Sequence, residues 1–144
     1  MKVNLIYLAD DDFDDVEFFQ EALNEVNSNC QLKSSKNGKE LVENLAAAQI
    51  LPQLVFIDVN MPIMNGLEAL EAIRAQERYN NVMVIIHTTS ASLTTIELAY
   101  NLGANAFVEK PSDFNVLKKM IGGLLARDWE SEATLNETPF VYKQ

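Results

Sequence analysis

The feature that most constrains this chain is a repeated alternation of two hydrophobic periods. Four short runs are rich in β-branched and large apolar residues: "VNLIYLA" (3–9), "QLVFID" (53–58), "VMVIIHT" (82–88) and "NAFVE" (105–109). The first three are almost continuously apolar, as expected of strands covered on both faces of a parallel sheet. A weaker run, "CQLKSS" (30–35), alternates and suits an edge strand. Between the runs the spacing turns helical. Val16, Phe19, Leu23 and Val26 recur at intervals of three and four across 13–27, giving one buried face. Residues 37–49, 66–77, 92–102 and 113–128 read as further helices, with Gly103 as a helix C-cap and Phe114, Leu117, Ile121, Leu124 and Leu125 as an apolar stripe on the last. Gly122 and Gly123 weaken that last helix by up to about 1 kcal/mol each, and nothing in the sequence explains them. Strand and helix alternate five times, which implies an α/β doubly wound fold: a parallel sheet, right-handed crossovers and helices on both faces.

Such a fold says where to look for chemistry: ligands bind outside the carboxyl ends of the strands, where the strand order reverses. At 144 residues the chain has the length of one domain, and its 48% hydrophobic and 22% charged content is that of a globular protein. The net charge of −10 argues against nucleic acid and against an anionic membrane surface as partners. Cys30 is the only cysteine, so no internal disulfide can form. No apolar stretch approaches the ~20 residues of a membrane helix, and no leader-like segment precedes the first strand. A cytoplasmic protein is expected.

The strand ends are polar. Counting the edge strand over 30–35 as the second, strand one finishes at Asp10 and Asp11, strand three at Asp58, strand four at Thr88 and strand five at Lys110. Carboxylates converging at the top of an apolar sheet repel, or take raised pKa values, unless a cation neutralises them. Mg²⁺ suits such a gap, because it prefers one or two carboxylates, several waters and a phosphate. Residues 10–15 carry five aspartates. Asp10 and Asp11 are the metal candidates, Asp14 and Asp15 read as solvated residues of a helix start, and Asp12 fits either role. A carboxylate beside a cation at a buried strand end, as Asp58 is, can act as a nucleophile on phosphorus. Phosphoryl transfer is mostly positioning and electrostatics, which the Lys110 ammonium and the Thr88 hydroxyl would supply. Each of these residues is ordinary alone; their placement at four strand ends of one sheet is what carries the argument.

With those residues assembled, residues 3 to about 127 resemble a response regulator receiver domain of two-component signalling, similar to the chemotaxis response regulator. The matching motifs are the Asp10–Asp11 pair, "DVNMPIMNG" (58–66), Thr88 after the fourth strand and "GANAFVEKP" (103–111). The resemblance implies a flavodoxin-like five-stranded sheet of order 2-1-3-4-5. It implies that Asp11 and Asp58 bind Mg²⁺ directly, that Asp10 acts largely through water, and that the Asn60 backbone carbonyl is a third ligand. Asp58 would be the phosphoacceptor, Lys110 its counter-ion, Thr88 the hydroxyl that follows the phosphate, and Phe107 the switch aromatic. Family members commonly hold the Lys–Pro peptide cis, which would aim Lys110 at the site. Asn60 and Ser90 stand at positions that tune dephosphorylation. His87 departs from the pattern, since an aliphatic residue usually precedes the switch threonine; a structural role beside the sheet is expected.

The implied domain plan is a receiver over 1–128 and an extension over 129–144, too short for an output domain. Short regulators with a tail of this kind include those paired with cyanobacterial phytochromes. The implied partners are a sensor histidine kinase or phosphotransfer protein and a downstream protein. The protein would be a phosphoacceptor rather than an enzyme acting on others. Two rival readings are a receiver-like docking module that is not phosphorylated and a haloacid-dehalogenase-type phosphohydrolase. The second wants an aspartate where Asn60 stands. The tail concentrates Trp129, Leu135, Phe140, Val141 and Tyr142, which predicts a docking or homodimerisation element, because free tails are normally poor in aromatics; the alternative is that Trp129 simply caps the last helix against its own domain while the rest of the tail stays mobile.

Overall fold

A computed structural model describes residues 2–130 and 140–142; Leu135 and its neighbours in 131–139 lie outside the described residues. The elements follow the expected alternation: β1 (Leu5–Ala9), α1 (Phe13–Val26), β2 (Gln31–Ser35), α2 (Gly38–Ala47), β3 (Leu54–Ile57), α3 (Gly66–Arg74), β4 (Met83–Thr88), α4 (Leu93–Asn101), β5 (Ala106–Glu109) and α5 (Phe114–Ala126). All neighbouring strands are parallel and the sheet order is β2-β1-β3-β4-β5. The order reverses between β1 and β3, so the switch point lies where Asp10 and Asp58 emerge.

β3 and β4 are buried along their whole length, as their unbroken apolar sequence requires, whereas β2 is mostly exposed. Alternate residues feed two cores. Ile6, Leu8, Phe56, Ile85 and Val108 face α1 and α5; Tyr7, Val55, Ile57, Ile86 and Phe107 face α2, α3 and α4. Each helix opens on a side-chain cap at the carboxyl end of the sheet: Asp12, Asn37, Asn65, Ser92 and Asp113 each accept a backbone N–H from the first turn. Asp12 is thereby assigned as the N-cap of α1, bonded to the Asp15 N–H at 3.1 Å.

Each helix ends one to three residues short of the range the sequence pattern suggests, and at α3 and α5 specific contacts mark the stop. The helix expected over 66–77 stops at Arg74 and is followed by a 3₁₀ turn, Glu77–Tyr79. At this stop the Arg74 guanidinium donates to the carbonyls of Gly103, Tyr79 and Val82 and to Asn105 Oδ1, tying the end of α3 to the segments around β4 and β5. The last helix stops at Ala126, because Arg127 is extended and Trp129 folds back. The Trp129 indole is 1% exposed, donates to the Leu124 carbonyl at 2.9 Å and lies under the Arg127 guanidinium. Gly103 has φ +98° and follows α4, the left-handed conformation that a helix-ending glycine supplies.

Candidate functional site

Asp10, Asp58 and Lys110 are each the first residue beyond their strand, yet their backbones still belong to the sheet. The Asp10 N–H donates to the Ser35 carbonyl, Asp58 N–H to Ala9 and Lys110 N–H to Thr88, all at 2.9–3.0 Å. The reactive groups are therefore carried by the rigid sheet instead of by mobile loops. Gly66 tightens the arrangement: any Cβ there would collide with the Asp58 carbonyl oxygen, so only glycine lets the first residue of α3 press against the Asp58 backbone.

The side chains converge. Asp58 is 7% exposed; its Oδ1 accepts the Thr88 hydroxyl at 2.8 Å and the Asn60 N–H at 3.2 Å, and its Oδ2 accepts Lys110 Nζ at 2.9 Å. Asp10, also buried, takes Lys110 Nζ at 2.8 Å and the Asp12 N–H at 3.0 Å. Asp11 is exposed, but one carboxylate oxygen each of Asp10, Asp11 and Asp58 fall within 4.8 Å of one another. Such a compact set of hard oxygen donors fits a small divalent cation such as Mg²⁺. Burial pushes the Asp10 carboxyl above its usual range, against the bonds from Lys110 and Asp12 that favour its charge. For Lys110 burial works against the ammonium, but hydrogen bonds from Asp10, Asp15 and Asp58 outweigh it and hold the amine protonated well above its ordinary pKa.

Two expectations are corrected. Asp15 is not a plain solvated residue: its Oδ2 lies 2.8 Å from Lys110 Nζ, making it the third carboxylate on that ammonium. Its partner is 95 residues away in sequence, so local pattern could not find it. Lys110–Pro111 is trans, since no peptide bond among the described residues is cis; the lysine reaches all three carboxylates from an extended strand end.

Around this centre the Asn60 side-chain amide donates to Ser90 Oγ at 2.6 Å, linking the β3 and β4 loops. His87 points to the other side of the sheet from Thr88. It is 5% exposed, lies edge-on to Phe19 and Phe56 at 5.8 and 6.0 Å, and neither ring nitrogen has a partner among the described residues. Burial first, then the nearby Lys110 charge, push its pKa down to about 3, so the ring is neutral. Phe107 is fully buried on the Thr88 side of the sheet. A cleft of about 450 Å³ lined by Phe107, Lys110, Pro111, Ile96, Val141 and Tyr142 joins the acidic site to the outer edge of β5.

Residues 6–122 match the response regulator receiver domain family. A protein-glutamate methylesterase/protein-glutamine glutaminase of Geobacillus kaustophilus is 40% identical over 98 residues, which are 64% of this chain and 27% of that protein. The chain thus spans about a quarter of the length of that relative. The phosphorylated cyanobacterial phytochrome response regulator RcpA superposes with a TM-score of 0.78 at 24% identity, covering 85% of this chain and 91% of that one. The Mn²⁺-bound form of response regulator Rcp1 gives 0.75 at 25% identity over 84% and 91% of the two chains.

Proposed function

The chain belongs to the response regulator receiver domain family, and from that premise we propose that it is a phosphorylation-controlled switch in which Asp58 accepts a phosphoryl group from a histidine kinase or phosphotransfer protein. The observation that carries this reading is the Asp58 carboxylate itself: buried at a strand end, with a hydroxyl on one oxygen and an ammonium on the other. In the transfer a carboxylate oxygen of Asp58 forms a bond to phosphorus while the donor's N–P bond breaks, the electron pair leaving with the donor imidazole. The Lys110 ammonium balances charge on the transferred oxygens, and the Thr88 hydroxyl is within reach to exchange its Asp58 bond for one to the phosphoryl group.

Asp10, Asp11 and Asp58, with the Asn60 carbonyl, are the groups proposed to hold Mg²⁺. Bound there, the ion neutralises the carboxylates and the phosphoryl oxygens. Phe107, beside the Thr88 strand, is the proposed relay from the site to the β5 surface. In this reading the chain catalyses only its own phosphorylation and dephosphorylation and works in the cytoplasm, where its donor kinase domain resides. No described helix is long and apolar enough to cross a membrane.

Incubation with acetyl phosphate and Mg²⁺, followed by intact-mass measurement, tests the assignment. One phosphoryl increment is expected, and Asp58→Asn removes it. An unmodified wild-type chain would instead favour a docking module that is never phosphorylated, and an increment persisting in Asp58→Asn would move the acceptor elsewhere.

A further inference from the structure

An outer strand of a sheet leaves alternate N–H and C=O groups without a neighbour, and apolar edges of that kind accept additional strands. On β5 the groups of Phe107 that face away from β4 are taken by the chain's own tail. Phe107 N–H donates to the Phe140 carbonyl and Tyr142 N–H donates to the Phe107 carbonyl, both at 2.9 Å, forming a parallel bridge between Phe107 and Val141. The three tail residues straddle the edge. Phe140 meets Tyr100 of α4 edge-on at 5.2 Å and Phe107 at 6.5 Å. Tyr142 turns to the α5 side, where its hydroxyl lies 3.5 Å from the Lys119 carbonyl.

Gly123 points to the same contact independently. A Cβ at this helix-interior position would lie 2.6 Å from the Tyr142 hydroxyl oxygen. The residue that weakens α5 therefore sits where the tail comes down on it. The attachment is also small, a single bridge with two backbone bonds, so it is replaceable by a longer strand.

We infer that the outer edge of β5, flanked by α4 and α5, is a strand-addition site whose built-in occupant is Phe140–Val141–Tyr142, and that its partners are extended segments carrying an aromatic–β-branched–aromatic triplet, which must displace the tail to bind. The inference needs no phosphorylation, so its test is separate from that of Asp58.

A fluorescein-labelled peptide of the tail sequence TPFVYKQ, titrated by anisotropy, is the probe. Saturable binding is expected to the full chain carrying Phe140→Ala and Tyr142→Ala. The wild type should bind at least about tenfold more weakly, because a tethered segment competes at roughly millimolar effective concentration. The Phe107 amide, protected by Phe140, should exchange about tenfold or more faster in the variant. Should the double variant fail to fold, Tyr142→Ala alone carries the same comparison. Equal titrations of variant and wild type, equal binding of a scrambled peptide, or a wild-type Phe107 amide that exchanges as fast as in the variant would each overturn the inference.

Discussion

The carboxyl end of the sheet and its β5 edge lie on either side of one cleft and are built on opposite principles. At the strand ends, charge is concentrated: Asp10, Asp15 and Asp58 share the single Lys110 ammonium at 2.8–2.9 Å. At the β5 edge, Tyr100, Phe107, Phe140 and Tyr142 are gathered around two backbone hydrogen bonds. The first arrangement is held by electrostatics on a rigid frame, the second by apolar area on a short, tethered contact. The contrast teaches that the two regions should answer to different perturbations: one to charge, pH and metal, the other to loss of aromatic surface. Lys110 belongs to both, since it holds the carboxylates and lines the cleft beside Phe107.

The contrast breaks most visibly at Lys110. Lys110→Ala strips the shared cation from carboxylates that remain buried, and removing one partner from a buried ion pair costs about 3–5 kcal/mol. Denaturant titration at neutral pH should show a loss of that order, with Phe107 amide exchange changing no more than global opening requires. A variant as stable as wild type would mean that the acidic end is not balanced by Lys110.

His87 gives the next largest effect. Its folded pKa of about 3 lies below the ordinary 6.5, so the unfolded chain binds the extra proton between those values and stability falls as pH drops through that window. The slope approaches about 1.4 kcal/mol per pH unit, or roughly 3 kcal/mol between pH 6.5 and 4. His87→Leu should remove that component of the acid limb; identical limbs in the two proteins would show the ring to be protonated in the fold.

Metal linkage is smaller and divides the acidic run itself. At a hundredfold excess over its dissociation constant, Mg²⁺ should stabilise the fold by about 2.7 kcal/mol. Asp11→Ala should abolish most of that gain and Asp14→Ala little of it, as melting scans with and without Mg²⁺ can measure. Equal loss from both substitutions would contradict the proposed ligand set.

The smallest effect sharpens the other half of the comparison. Gly123→Ala should strengthen α5 by up to about 1 kcal/mol through helix propensity while dislodging Tyr142. Global stability is thus expected to hold or rise as Phe107 amide protection falls. Protection that rises together with stability would mean the tail contact tolerates the added methyl.

Much of this architecture is legible in the residues alone, for identifiable reasons. β3 and β4 announce themselves because strands covered on both faces must be apolar throughout, and Asp58, Thr88 and Lys110 stand out as the polar residues that end such runs. The misses share one cause, contact between segments distant in sequence. Asp15 looks like any helix-start carboxylate until Lys110 is brought to it, and Arg74 looks like a surface charge until four acceptors surround it. Gly123 has no local explanation because Tyr142 reaches it from beyond the last helix. The tail's aromatic content predicts docking, and residues 140–142 dock on the chain's own β5 edge.

The placement of Trp129 has a spectroscopic consequence. It is the chain's only tryptophan, sealed at the end of α5 opposite to the end that adjoins Lys110. The run from Phe114 to Leu124, roughly 15 Å of helix, separates the start of α5 from the carbonyl that holds the indole. Intrinsic fluorescence excited at this ring will therefore be blue-shifted and will report cooperative unfolding cleanly, while staying dark to cation binding and to aspartyl modification. Those events call for a dye or a tyrosine-based signal, and Tyr142, resting on α5 beside the cleft, is the chromophore best placed to see them.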